Sequence, residues 1–224
     1  MNYLLQTQGI LFDLDGVIAD TRVVLKETWT KWCNRNAIDI EKIREVSHGK
    51  RPFDTISIVA PHLNTLEQVK ILSEIENSIC HRLTRLNGIM ELLNSIPDIK
   101  WGVCTSSTRE CAVSKLQHAI GYKPYCLVCS EDVEHGKPNP EAYIKAAGIL
   151  KINPANLIVF EDSKAGIESA KTAGCKVIGV SAASNKSLLI DADYVIHDFT
   201  DIRVVNITDK KATINLRGNS KTLL

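Results

Sequence analysis

The sequence predicts an α/β fold, a Rossmann-like doubly wound parallel sheet with an inserted all-helical domain. Three observations carry that prediction. Short, near-continuous apolar runs alternate with helical patterns along most of the chain, as expected of strands buried on both faces and joined by helical crossovers. Several of these runs stop abruptly at acidic or hydroxyl residues. One long block between the first and second runs keeps a helical period and contains no convincing strand.

The runs are Gly9–Phe12, Lys100–Cys104, Cys126–Cys129, Asn156–Phe160 and Lys176–Val180, with a short sixth at Tyr194–Ile196. Helical patterns lie at Ile89–Ser95, Arg109–His118, Glu141–Leu150 and Ala165–Ala173. The block from Thr21 to Arg85 carries Trp29, Trp32, Ile38, Ile43, Val46, Ile56, Val59, Leu66, Val69, Leu72, Ile75 and Ile79 at helical spacing. It reads as a separate helical unit, so the expected division is a core of residues 1–20 and 86–203 and an insert of 21–85. Residues 204–224 form an extension that is either a hairpin, Val204–Thr208 with Ala212–Leu216, or a loose tail.

Length and composition set the outer limits. The chain has 224 residues and a net charge of +1, with 27 Lys and Arg against 26 Asp and Glu. That size supports a real hydrophobic core, and the charge balance gives no basic stripe for nucleic acid. No apolar run is long enough to span a bilayer, and no basic residue precedes the first apolar stretch as in a secretory signal. Seven scattered cysteines include the pair Cys126 and Cys129, with no second pair at zinc spacing. They read as reduced core thiols of a cytoplasmic protein. The chain is expected to work as a monomer or weak homodimer, without nucleic-acid or membrane partners.

In an open parallel sheet, ligands bind beyond the carboxyl ends of the strands. Those ends here carry Asp13-Leu14-Asp15-Gly16, Thr105-Ser106-Ser107, Gly136-Lys137-Pro138 and Glu161-Asp162-Ser163. Four carboxylates with few matching cations cannot all stay ionised cheaply. A divalent cation relieves the repulsion, and hard oxygen ligands favour Mg²⁺. A cation, a lysine, a threonine hydroxyl and backbone N–H groups make a phosphate cradle. A carboxylate aimed at the phosphate can attack it, and a second carboxylate two residues on can handle the proton of the leaving oxygen. The plain alternatives are turn formation for the aspartates, helix capping for Thr105 and Ser106, a solvated Lys137 and a surface Glu161.

Together, Phe12-Asp13-Leu14-Asp15-Gly16-Val17, Thr105-Ser106, Gly136-Lys137-Pro138-Asn139-Pro140-Glu141 and Val159-Phe160-Glu161-Asp162-Ser163 resemble the four motifs of the haloacid-dehalogenase superfamily, in order and spacing. The resemblance covers about residues 8–203, and the helical insert sits where that superfamily carries a helical cap domain. It implies Asp13 as nucleophile and metal ligand. Asp15 becomes the general acid/base, with its carbonyl on the metal. Thr105, the Ser106 N–H and Lys137 hold the phosphoryl group. Asp162 is a metal ligand, and Glu161 serves the metal directly or through water, with Mg²⁺ the implied cofactor.

An aspartate at position 15 marks the phosphatases and phosphomutases of this superfamily rather than its dehalogenases. The mutases of the sugar-phosphate branch carry a cap histidine near the position of Leu25, and this sequence has none between Asp15 and His48. The loop Ser47-His48-Gly49-Lys50-Arg51-Pro52-Phe53-Asp54 is similar to that of glycerol-3-phosphatases and 2-deoxyglucose-6-phosphatases. The resemblance therefore implies a phosphatase acting on a small phosphorylated polyol or sugar. His48, Gly49, Lys50 and Arg51 are then candidates for substrate selection, Arg51 foremost. A phosphomutase and a non-catalytic phosphate binder are the alternatives.

Overall fold

The computed structural model describes residues 2–217. In chain order the strands are β1 (Asn2–Thr7), β2 (Gly9–Phe12), β3 (Ala19–Asp20), β4 (Thr84–Arg85), β5 (Lys100–Cys104), β6 (Cys126–Val128), β7 (Leu157–Glu161), β8 (Lys176–Val180), β9 (Tyr194–Ile196), β10 (Ile202–Thr208) and β11 (Lys211–Arg217). The α-helices are α1 (Arg22–Asn36), α2 (Ile40–Val46), α3 (Pro52–Val59), α4 (Leu66–Ile79), α5 (Ile89–Asn94), α6 (Arg109–Ala119), α7 (Glu141–Leu150) and α8 (Lys164–Thr172).

All six apolar runs read from the sequence become strands of one sheet, in the order β6-β5-β2-β7-β8-β9, every neighbouring pair parallel. Strand β2 lies at the centre, and the order moves outwards from it in both directions. Such a reversal leaves a crevice at the carboxyl ends of the middle strands. Successive side chains go to opposite faces. Ile10, Phe12, Ile158, Phe160, Ile178 and Val180 join one buried cluster, while Leu11, Val159 and Val177 join the other. On the first face the Phe12 and Phe160 rings stack 5.3 Å apart, and Phe199 packs edge-on to both.

Helices α1–α4 form the block between β2 and β5, with a buried cluster of their own: Trp32, Cys33, Ile43, Ile56, Ala60 and Leu72. Local signals set their ends. Asp39 and Thr65 accept hydrogen bonds from the first-turn N–H groups of α2 and α4, and Pro52 opens α3. The two crossings between sheet and block pair with each other as the antiparallel strands β3 and β4.

The C-terminal segment resolves as a hairpin within the described residues. β10 and β11 meet at a two-residue turn, Asp209-Lys210, with both residues at positive φ. That is the geometry whose twist matches antiparallel strands. Strand β1, which the apolar-run pattern does not reveal, pairs with β11 to complete a three-stranded antiparallel sheet. Ala212, Ile214 and Leu216 alternate inward and join the main core with Leu5. The expectation for 204–224 also covers residues 218–224, which lie outside the described part. No helix among the described residues is long and apolar enough to cross a membrane, and their cysteines are all buried and unpaired.

Candidate active site

Asp13 follows directly on β2, and its N–H donates to the Phe160 carbonyl at 2.9 Å, so the strand pairing continues into the site. Phe12 stands level with Val103 on β5 and Phe160 on β7. The next residues of the three strands, Asp13, Cys104 and Glu161, therefore reach the same height. Lys137 enters on the loop before α7. Its buried ammonium donates to Asp13 Oδ1 at 2.6 Å, Glu161 Oε1 at 2.6 Å and the Cys104 carbonyl at 3.0 Å. Burial works against its charge, but Asp13 and Glu161 outweigh that and hold its pKa above the ordinary value.

Asp13, Glu161 and Asp162 present carboxylate oxygens within 4.8 Å of one another. Burial pushes Asp13 well above the usual carboxylate range. Lys137 opposes the shift, while Glu161, Asp162 and Asp15 add to it. Asp162 is raised as well, chiefly by burial, although His48 and Ser184 donate to it. A buried acidic cluster short of positive charge is the donor set that suits a hard divalent cation. Glu161 differs from the other two. Its Oε1 accepts from Lys137 and the Tyr143 hydroxyl, and its Oε2 accepts from the Asp162 N–H, the Ser163 N–H and the Ser163 hydroxyl. These bonds occupy both oxygens, so Glu161 anchors the lysine and the turn that carries Asp162.

Asp15 faces the other side of the site. Ser107 Oγ donates to its Oδ2 at 2.8 Å and Lys115 Nζ to its Oδ1 at 2.7 Å. Burial alone would raise its pKa, but the charge of Lys115 and hydrogen bonds from Lys115, Thr21 and Ser107 hold it below the ordinary value. Gly16 lets the chain turn away directly after Asp15. Its φ is +82°, and a Cβ there would lie 2.0 Å from Asp162 Oδ2, so both backbone and space require glycine. Thr105 Oγ1 accepts from the Ser107 N–H at 3.1 Å, which leaves the hydroxyl proton to donate.

The helical block covers this floor through the loop before α3. His48 Nε2 lies 3.2 Å from Asp162 Oδ2, and Ser106 Oγ donates to the Gly49 carbonyl at 2.8 Å. The bond to Asp162 raises the His48 pKa against the effect of burial. Gly49 has a φ of +76°, and a Cβ there would strike the Ser163 hydroxyl at 2.5 Å, so the loop seats on the core only with glycine at this position. Between loop and floor is a cavity of about 440 Å³, lined by Asp13, Asp15, Thr105 and Asp162 below and by Leu25, Trp29 and Lys50 above. That volume is in the range of small-molecule sites.

The structure thus brings together Asp13, Asp15, Thr105, Ser106, Lys137, Glu161 and Asp162, with His48, Gly49 and Lys50 over them. Arg51 does not line this cavity. Its guanidinium forks onto Asp54 at 2.7 and 2.9 Å and donates to the Val133 carbonyl at 3.0 Å. The local Asp54 satisfies the fork and sets its direction. Two contributors were not legible as such in the sequence: Lys115, which bonds Asp15, and Glu76, which pairs with Lys115. The available signal was a lysine on the apolar stripe of α6, three residues beyond Ala112 and four beyond Cys111.

Residues 10–180 match the family model of the haloacid dehalogenase-like hydrolases. The chain belongs to that family. Among curated relatives, glycerol-1-phosphate phosphohydrolase 2 of Saccharomyces cerevisiae is 33% identical, over 89% of this chain and 86% of its own. A 2-deoxyglucose-6-phosphate phosphatase 1 of the same yeast is 30% identical, over 93% and 94%. Hexitol phosphatase A of Escherichia coli is 30% identical, over 89% and 95%. These relatives are phosphoric monoester hydrolases, and this family member is likewise a hydrolase. Among solved structures, a β-phosphoglucomutase from Clostridium difficile superposes with a TM-score of 0.75 at 28% identity, covering 86% of this chain and 92% of its own. The CbbY protein of Rhodobacter sphaeroides shares the fold with a TM-score of 0.79 at 20% identity, covering 87% and 96%.

Proposed function

We propose that the chain is a Mg²⁺-dependent phosphatase of small phosphorylated polyols or sugars, acting through an aspartyl-phosphate on Asp13. The observation that carries this reading is the placement of Asp13. It stands at the central strand end, 2.6 Å from the Lys137 ammonium, beside Asp162 and at the floor of a cavity of metabolite size. The names of the relatives favour the same substrate class.

In this reading the Thr105 hydroxyl, the Ser106 N–H and Lys137 hold the phosphoryl oxygens. An Asp13 carboxylate oxygen attacks phosphorus as the ester P–O bond breaks, and Asp15, in its minor protonated form because Lys115 and Ser107 favour the carboxylate, gives its proton to the leaving alkoxide. Asp15 then takes a proton from the water that attacks the aspartyl-phosphate, which frees Asp13 and inorganic phosphate. Asp13 and Asp162, with the Asp15 carbonyl, would hold the cation, and Glu161 would act on it only through Lys137 and the Asp162 turn. Bound Mg²⁺ supplies positive charge that offsets carboxylate repulsion and the phosphoryl oxygens. His48, Gly49 and Lys50 close over the substrate and keep bulk water out. A cytoplasmic setting belongs to this reading and is supported by the unpaired buried cysteines.

Phosphate release from a panel of polyol and sugar phosphates, with and without Mg²⁺, tests the proposal; no metal-dependent release from any member refutes it. The mutase reading draws on the solved β-phosphoglucomutase. Leu25 lines the cavity and offers no proton-accepting group, which favours water as the phosphoryl acceptor. Efficient conversion of β-glucose 1-phosphate to glucose 6-phosphate, with little free phosphate, would reverse that choice.

A further inference from the structure

Lys115 has no accessible surface. It belongs to the inward face of α6 with Cys111, Ala112, Leu116 and Ala119, all apolar or small. Its ammonium donates to Asp15 Oδ1 at 2.7 Å and Ser107 Oγ at 2.8 Å, and it pairs with Glu76 Oε1 at 2.5 Å. Ser107 in turn donates to Asp15 Oδ2 at 2.8 Å. Both oxygens of the Asp15 carboxylate are therefore held, one by the helix and one by the loop after β5, and this fixes the carboxylate plane. Glu76 arrives from α4, on the covering block. One ammonium thus joins that block to the group that handles the proton.

Stability does not account for this arrangement. A buried ion cluster is often no more stable than well-packed apolar residues of similar volume, and a leucine at 115 would simply continue the stripe. Nor does pairing alone, since Asp15 or Glu76 by itself would satisfy the charge.

We propose that Lys115 is a positioning residue for Asp15, and that Glu76 makes this positioning depend on the covering helices. With α4 docked, Glu76 shares the ammonium, and the Asp15 carboxylate is aimed at the leaving oxygen. With α4 displaced, the ammonium loses Glu76 and keeps only Asp15 and Ser107, so the geometry that aims the carboxylate is lost. Proton delivery is then available only while the cavity is covered and water is excluded. The inference rests on the phosphatase reading and goes beyond it by assigning work to residues that touch neither phosphate nor metal.

The test is a leaving-group series. kcat/KM is measured for aryl phosphates whose phenols span a pKa of about 4 to about 10, plus one alkyl phosphate, with wild type, Lys115→Met and Glu76→Gln. A good leaving group needs little proton help and a poor one needs much. Both variants should show a steeper dependence on leaving-group pKa, with losses about 10- to 100-fold larger at the poor end than at the good end. A purely structural role lowers the whole line in parallel, and parallel lines for both variants overturn the inference alone. If Lys115→Met does not fold, Glu76→Gln decides, because it keeps the shape and removes only the charge. A wild type inert on every ester and on the sugar phosphate panel overturns the phosphatase reading and this inference with it.

Discussion

Replacing Arg51 by alanine separates a substrate contact from a clasp. The guanidinium makes three hydrogen bonds, two to Asp54 and one to the Val133 carbonyl. The Asp54 pair lies within the same segment, three residues on, and its side chains are 15% and 31% exposed. Solvent screens such a pair, so it contributes little to holding the covering loop down. The bond to Val133 reaches across to the core, and Asp54 serves to aim it. Losing one charge-assisted hydrogen bond of this kind costs about 1–2 kcal/mol, roughly a 5- to 30-fold drop in the population of the docked loop. Every substrate needs that loop docked. Arg51→Ala should therefore lower kcat/KM by about the same 5- to 30-fold factor on the best sugar phosphate and on p-nitrophenyl phosphate. Asp54→Asn, which loosens the fork, should follow in the same direction by a smaller factor. The assay is steady-state phosphate release on both esters at saturating Mg²⁺. A loss confined to the sugar phosphate would show that Arg51 reads substrate hydroxyls and that the clasp argument is wrong.

Asp13→Asn should remain folded and lose several decades of kcat, and near-normal turnover in that variant would remove the covalent mechanism. Chelation should abolish activity and lower Tm, with Mg²⁺ restoring both, because the Asp13, Glu161 and Asp162 cluster is short of positive charge; an indifferent Tm would argue against a metal among those carboxylates. The cysteines should resist a thiol reagent at pH 8 in the native state and react on unfolding, since all are buried and burial pushes Cys111 to about 12; rapid native labelling would contradict this. Ile214→Ala should cost about 2–5 kcal/mol in urea unfolding, because Ile214 is fully buried in the main core, and no loss would mean the hairpin does not pack as described.

The six runs were legible as strands because a strand buried on both faces leaves a local apolar signature that needs no knowledge of its neighbours. The motifs were legible for a related reason. Asp13, Thr105 and Glu161 directly follow apolar runs, with Asp162 next, and in a parallel sheet residues after strand ends share one edge whatever the strand order. Strand β1 was not legible, because Asn2–Thr7 is a two-faced edge segment whose partner, Lys211–Arg217, lies at the far end of the chain. The choice between hairpin and tail for β10 and β11 depended on that same pairing.

Sequence by itself determined the fold class and the acidic, hydroxyl and lysine floor of the site, since both follow from local pattern and spacing. Tertiary structure decided which charges meet. Asp15 and Lys115 stand 100 residues apart in the chain, and a lysine on a helix reads as solvated until the helix face is known. Which partners Arg51 takes cannot be read locally either: the fold gives its fork to Asp54 and the Val133 carbonyl. Glu161 reads only as an acid beside a metal until Lys137, Tyr143 and the following turn are seen to donate to its oxygens. A charged side chain is defined by its partners, and only folding brings partners from distant segments within hydrogen-bond range.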